Sequence, residues 1–115
     1  MNSTEMVTDY GLDALAAVLH ETAVEKGFWE GEVNYDKLGN KLALVHSEVT
    51  EVLEAIRKSK GSEAIVEEMA DILIRLLDLY AAMRNTGDLT HSFDEILDKK
   101  LNINKKRPKL HGNLF

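Results

Sequence analysis

The stretches HSEVTEVLEAI, residues 46–56, and EEMADILIRLL, residues 67–77, decide the fold. In each, apolar residues recur every three or four positions, which is the period of one face of a helix. Each also carries a pair of carboxylates at i,i+3 spacing: Glu48 with Glu51, and Glu68 with Asp71. Carboxylates beside an apolar stripe cost free energy unless compensated, and a divalent cation held by oxygen ligands is one compensation.

Working outward, the second helix runs from about Asp36 to Ser59, with Leu38, Leu42, Val45, Val49, Val52, Leu53 and Ile56 inward. Lys58-Ser59-Lys60-Gly61 turns the chain, and Ser62 is read as the N-cap of a third helix reaching about Asn85. Its inward set is Ile65, Met69, Ile72, Leu73, Leu76, Leu79, Tyr80 and Met83, and Gly87 closes it. Upstream, a first helix spans about Asp9 to Lys26 and ends at Gly27. The loop GFWEGEVNY follows, with the chain's one tryptophan. Ser92 and Glu95 form a capping-box pair for a fourth helix running to about Asn104. The expected fold is all-α, an antiparallel four-helix bundle formed by one domain over residues 1–115.

At about 100° per residue, Glu48 lies roughly 80–90° from the centre of its apolar stripe and Glu51 roughly 140–150°. Glu68 and Asp71 repeat those angles with the same sign on the third helix. In an antiparallel hairpin turning near Lys60 and Gly61, all four come to similar height. Leu44 and Ala55 flank the first pair, so the strip is not purely solvated. Glu54, Glu63 and Glu67 read as surface acids, with Glu67 neighbouring the site.

Composition limits the alternatives. The chain has 115 residues, no cysteine and one proline, which excludes disulfides and thiolate metal sites. No apolar run approaches the roughly 18 residues of a membrane span. The first residues lack the basic segment and apolar core of a signal peptide, so a cytoplasmic protein without a membrane partner is expected. Residues 1–98 hold all 20 acidic and 8 basic residues, net −12, while residues 99–115 carry six basic residues and no acid. An acidic body repels nucleic acid, and none is expected as a partner. An acidic strip beside a basic tail suits a metal–polyphosphate. A di-iron bundle needs Glu-x-x-His pairs, and the sequence has none.

These residues resemble a known family. Glu48-Val-Thr-Glu51, a spacer of 16 residues and Glu68-Met-Ala-Asp71 match the ExxE and ExxD motifs of the MazG-like, all-α nucleoside triphosphate pyrophosphohydrolases. The branch is that of the small dCTP pyrophosphatase and phage-type members. The surrounding GFWEGE, LALVHSEVTEVLEAIR and EEMADILIRLLDL also match. So does the tail: Lys100, Asn104, Arg107-Pro108 and His111-Gly112 follow the family's K…N..RP..HG segment. Ser47 departs from the pattern, since many members carry a second glutamate there.

The resemblance implies hydrolysis of a nucleoside triphosphate between the α and β phosphates, giving a monophosphate and pyrophosphate. It implies one or two Mg²⁺ ions, replaceable by Mn²⁺, on Glu48, Glu51, Glu68 and Asp71, and a homodimer or homotetramer whose subunits share the nucleotide sites. A dNTP, dCTP first, is the expected substrate, and clearance of nucleotides the expected role. The alternative is a non-catalytic helical regulatory or interaction module. Lys100, Asn104 and Arg107 would bind phosphate, with Lys99 or Lys106 assisting. Phe28 and Trp29 either stack on a base or plug the bundle end. His46 either touches the base or sugar or packs at an interface, and Asn40 is a further nucleotide contact. Arg75 either orients Asp71 or forms a surface ion pair. His20 and His91 read as surface residues.

Overall fold

The computed structural model describes residues 1–108 and is helical throughout its regular structure, with no strand among the described residues. His111 and Gly112 of the tail segment lie outside them. The elements are α1 (Ser3–Tyr10), α2 (Leu12–Glu25), α3 (Tyr35–Arg57), α4 (Ser62–Asn85) and α5 (Phe93–Lys106). The helix read over about Asp9 to Lys26 is α2, and the fifth helix is α1, which the sequence reading did not include; Gly11 separates the two. Its φ of +83° lies in the left-handed region, where an L side chain is strained and a helix cannot continue.

α3 and α4 form the antiparallel hairpin that the two acidic segments predict, joined through Lys58–Gly61. Gly61, not Ser62, occupies the N-cap of α4, with φ +97° and no side-chain cap. Asn34 caps α3 by accepting from the Lys37 amide at 2.9 Å. The capping box of α5 is present: Ser92 accepts from the Glu95 amide, and the Glu95 carboxylate accepts from the Ser92 amide.

α2 lies against α4, and small residues permit the close approach. Ala16 packs with Leu77, Tyr80 and Ala81, ringed by Leu12, Leu15 and Phe93. Ala23 packs with Leu79, Ala82 and Trp29, with Val33 and Leu38 beside them. The core therefore sits around the C-terminal half of α4.

Most of the apolar stripe read from the sequence is not buried within the chain. On α3, Leu42, Val49, Leu53 and Ile56 are about half exposed, and so are Val66, Met69 and Leu73 on α4. The reason is geometric: α2 covers the hairpin near the Trp29 end only, so the strip facing away from it has no neighbour in the chain.

The chain's best-defined polar cluster ties α5 to α2. The Leu12 and Asp13 amides donate to the Asp94 carboxylate at 3.1 and 3.3 Å. In return the Asp94 amide donates to Asp13 Oδ1 at 3.3 Å. Each helix start thus supplies a carboxylate to the free N–H groups of the other, where helix dipoles favour negative charge. Tyr80 bridges the pair: its hydroxyl donates to Asp13 Oδ2 at 2.6 Å and accepts from the Phe93 amide at 2.9 Å. Arg84 adds a 3.3 Å contact to Asp13. Burial pushes the Asp13 carboxyl up, but the Tyr80 and Asp94 hydrogen bonds and the Arg84 charge outweigh it and hold the group below its usual value of 3.8. Burial, then the bond to Asp13, pushes the Tyr80 hydroxyl up.

Candidate metal and nucleotide site

The hairpin brings Glu48 of α3 together with Glu68 and Asp71 of α4. Each offers a carboxylate oxygen, and the three oxygens lie within 4.8 Å of one another. Glu48 and Glu68 are half-buried and Asp71 is exposed. Glu51 stands one turn along α3, is exposed and lies outside this trio. Its position follows from helix phase: the inward direction on α3 passes through Glu48 and the buried Ala55, and Glu51 sits about 60° off it.

Three hard oxygen donors at this separation fit a divalent cation of the magnesium type, which takes a few carboxylates and keeps waters in its remaining positions. Arg75 supplies a counter-charge. Its Nε donates to Glu48 Oε1 at 2.7 Å, so it crosses the hairpin to α3 rather than pairing with Asp71 on its own helix.

A groove of about 460 Å³ opens beside the trio. Glu48 and Asp71 line one part of it, with Arg75 next to them, and Asp78 and Phe28 complete the wall. Thr22 of α2 and Lys26, its C-cap, also line the groove. On α4 the polar residues Glu68, Asp71, Arg75 and Asp78 follow one another at spacings of three and four, which places them on one face.

Of the two aromatic candidates, Phe28 is 59% exposed and lines the groove, whereas Trp29 is buried. The Trp29 ring is fully engaged. Its Nε1 donates to both oxygens of Asp78 at 2.9 Å, His20 meets it edge-on at 5.3 Å, and the Lys41 ammonium lies 4.7 Å from its centroid. The ammonium groups of Lys41 and Lys37 also reach the Phe28 and Glu30 carbonyls, which fastens the loop onto α3.

His20 is not a surface residue. Only 12% of its side chain is exposed, and its Nδ1 lies 2.7 Å from Asp78 Oδ1. An ionised carboxylate accepts only, so Nδ1 carries the proton. Sequence reasoning missed both His20 and Asp78. The available signal was that Asp78 continues the Glu68, Asp71, Arg75 face by one more turn.

His46 and Asn40 are exposed on α3 and are not among the groove's lining residues. Lys100 and Asn104 are exposed on α5, and Arg107 follows it. The groove's lining includes none of these three. Lys99 and Lys100 instead flank a separate concavity with Glu95, Ile96 and Ile103. His91 pairs with Glu95 at 3.2 Å, a surface contact as expected.

The fold and the site define an all-α chain whose helical hairpin gathers three carboxylates that could hold a metal ion beside a groove. The family profile of the MazG nucleotide pyrophosphohydrolase domain matches residues 38–110, most of the chain, and so the chain belongs to the MazG family. The match takes in α3 from Leu38 onward, α4 and α5, and hence all three gathered acids. No curated protein and no solved structure matches the chain. Membership carries nucleotide pyrophosphohydrolase activity in general. No helix among the described residues is long and apolar enough to cross a membrane.

Proposed function

We propose that the protein hydrolyses deoxynucleoside triphosphates between the α and β phosphates, with Mg²⁺ as the ordinary metal and Mn²⁺ as a substitute, and that dCTP is the first candidate substrate. The observation that carries this reading is the trio Glu48, Glu68 and Asp71, held within 4.8 Å at one part of an open groove. A cation held there supplies a Lewis acid for phosphate oxygens and lowers the pKa of a bound water.

The chain's own residues then have distinct tasks. Glu48, Glu68 and Asp71 hold the metal. Glu51, one turn from Glu48 and not engaged in the trio, is the candidate acceptor for the proton of the attacking water. Arg75 fixes Glu48 and adds positive charge beside the phosphates. The exposed Phe28 ring offers a face to the base. Lys26 lines the same groove as a further cation.

Lys100, Asn104 and Arg107 complete phosphate binding from a second copy of the chain, in a homodimer or homotetramer. Two observations support this. The three residues lie away from the groove of their own chain. The half-exposed apolar strip of α3 and α4 is a face that a second copy would cover. Clearance of nucleotides in the cytoplasm is the role this reading assigns.

The test is a product assay. The protein is incubated with Mg²⁺ and a panel of ribo- and deoxynucleoside triphosphates, with an EDTA control, and products are resolved by phosphorus NMR. Metal-dependent monophosphate plus pyrophosphate supports the proposal. Orthophosphate release, or no turnover by a folded protein, refutes it.

A further inference from the structure

The far part of the groove carries a carboxylate that metal binding does not use. Asp78 stands seven residues beyond Asp71 on α4, about 10 Å along the axis at roughly 1.5 Å per residue. That span suits the distance from an α-phosphate, bound at the acidic trio, to the outer edge of the base. The exposed ring of Phe28 lines the same groove and offers a face on which a base can stack.

The hydrogen bonds of Asp78 are unevenly shared. Oδ1 accepts from His20 at 2.7 Å and from Trp29 at 2.9 Å. Oδ2 accepts only the shared Trp29 N–H, also at 2.9 Å. A carboxylate oxygen has two acceptor positions, so Oδ2 has room for another donor, and Asp78 forms part of the groove wall. The His20 and Trp29 bonds fix the carboxylate plane, so its direction is set before any ligand arrives.

We propose that Asp78 is a base-specificity residue: its carboxylate accepts a hydrogen bond from the exocyclic amino group of the substrate's base. Amino-bearing bases, cytosine among the pyrimidines, are then preferred over uracil and thymine. This rests on the triphosphate reading above. The chemistry is that of carboxylates reading the N4 amino group of cytosine. Uracil and thymine place a carbonyl oxygen at that position, and two acceptors facing each other in a half-buried groove repel. A site built to bond a substrate N–H discriminates strongly against analogues lacking it, because its own polar group is left unpaired. Asp78 also has its His20 and Trp29 bonds, so the loss is set by one charge-assisted hydrogen bond, about ten- to a hundredfold.

The experiment compares kcat/KM of the wild-type protein, with Mg²⁺, for dCTP, for dUTP and for the 2-pyrimidinone deoxynucleoside triphosphate that lacks the 4-amino group. It repeats the comparison with Asp78→Asn, whose folding is followed by circular dichroism. The expected result is that dCTP leads dUTP and the analogue at least about tenfold in the wild type. In Asp78→Asn the dCTP/dUTP ratio should collapse toward one, because an amide can also donate to the uracil carbonyl. A purely structural role for Asp78 lowers both substrates in parallel with the ratio unchanged, and that result overturns the proposal. Should Asp78→Asn not fold, the wild-type series decides alone: equal rates for dCTP and the analogue overturn the proposal while the hydrolase reading stands. Hydrolysis of no triphosphate overturns both.

Discussion

Replacing Glu68 with Gln should make the metal-free protein more stable and abolish its response to magnesium. Three ionised carboxylates with oxygens within 4.8 Å repel one another. At that separation a pair costs about 0.9 kcal/mol in a water-like dielectric and a few kcal/mol at an effective value near 20. Asp71 is exposed, so the water-like figure applies. Arg75 already offsets part of the Glu48 charge, whereas Glu68 has no such partner among the described residues. Glu68→Gln removes two of the three repulsive pairs at nearly constant volume, which should gain about 1–2 kcal/mol. For a chain of this length that raises Tm by about 4–8 °C. The assay is thermal unfolding by circular dichroism in EDTA and in excess Mg²⁺. The wild type should rise in Tm with Mg²⁺ by mass action, and the variant should begin higher and rise little. A variant that melts below the wild type in EDTA, yet gains the same increment from Mg²⁺, would show that these acids neither strain the fold nor hold the cation.

Asp13→Asn should cost about 2 kcal/mol near neutral pH, because the Tyr80 and Asp94 donors lose a charged acceptor. Since the folded Asp13 carboxyl lies below its usual value, its contribution is present above about pH 4 and is lost as pH falls through the folded pKa. Urea midpoints of the wild type and Asp13→Asn should therefore differ at pH 7 and converge toward pH 3; a constant gap would contradict the assignment. Gly11→Ala should destabilise by about 2 kcal/mol or more, since a Cβ there meets Asp94 Oδ2 at 2.6 Å and φ is +83°. A Tm change under about 2 °C would mean the helix junction relaxes freely. Ile56→Glu should shift the protein to a smaller species by light scattering without loss of helix if the hairpin's open strip joins two copies. An unchanged mass would place the interface elsewhere.

The hairpin and its acids were legible because helical phase and distance from the turn are both properties of the sequence. Glu48, Glu68 and Asp71 met as that arithmetic requires. Glu51 did not join them because about 60° of phase separates it from Glu48 on α3. The short helix α1 was hidden, since it buries no residue and so carries no apolar stripe to read. His20 was hidden for a different reason. Its partners, Asp78 and Trp29, lie 58 and 9 residues away, and only the packing of α2 on α4 brings them together. The apolar stripe of α3 is turned away from the face the chain buries, which runs through Glu48 and Ala55, because periodicity gives the direction an apolar face points and not what covers it.

Fold and site depend on the same bonds at one place in this molecule. The loop between α2 and α3 has no regular structure, so its shape depends on bonds from neighbouring helices. Trp29 is anchored to Asp78 on α4, and Lys37 and Lys41 hold the Glu30 and Phe28 carbonyls from α3. Those anchors keep Phe28 at the groove while Trp29 fills the core beneath it. A residue in a packed core has few alternative arrangements, so the groove wall inherits the rigidity of the core. The acidic trio has less support: two of its members are half-buried, one is exposed, and among the described residues its ion pair is the one from Arg75 to Glu48. The two parts of the groove therefore differ physically. The part around Asp78, Trp29 and Phe28 is held by packing and hydrogen bonds, whereas the acidic part is more open to solvent.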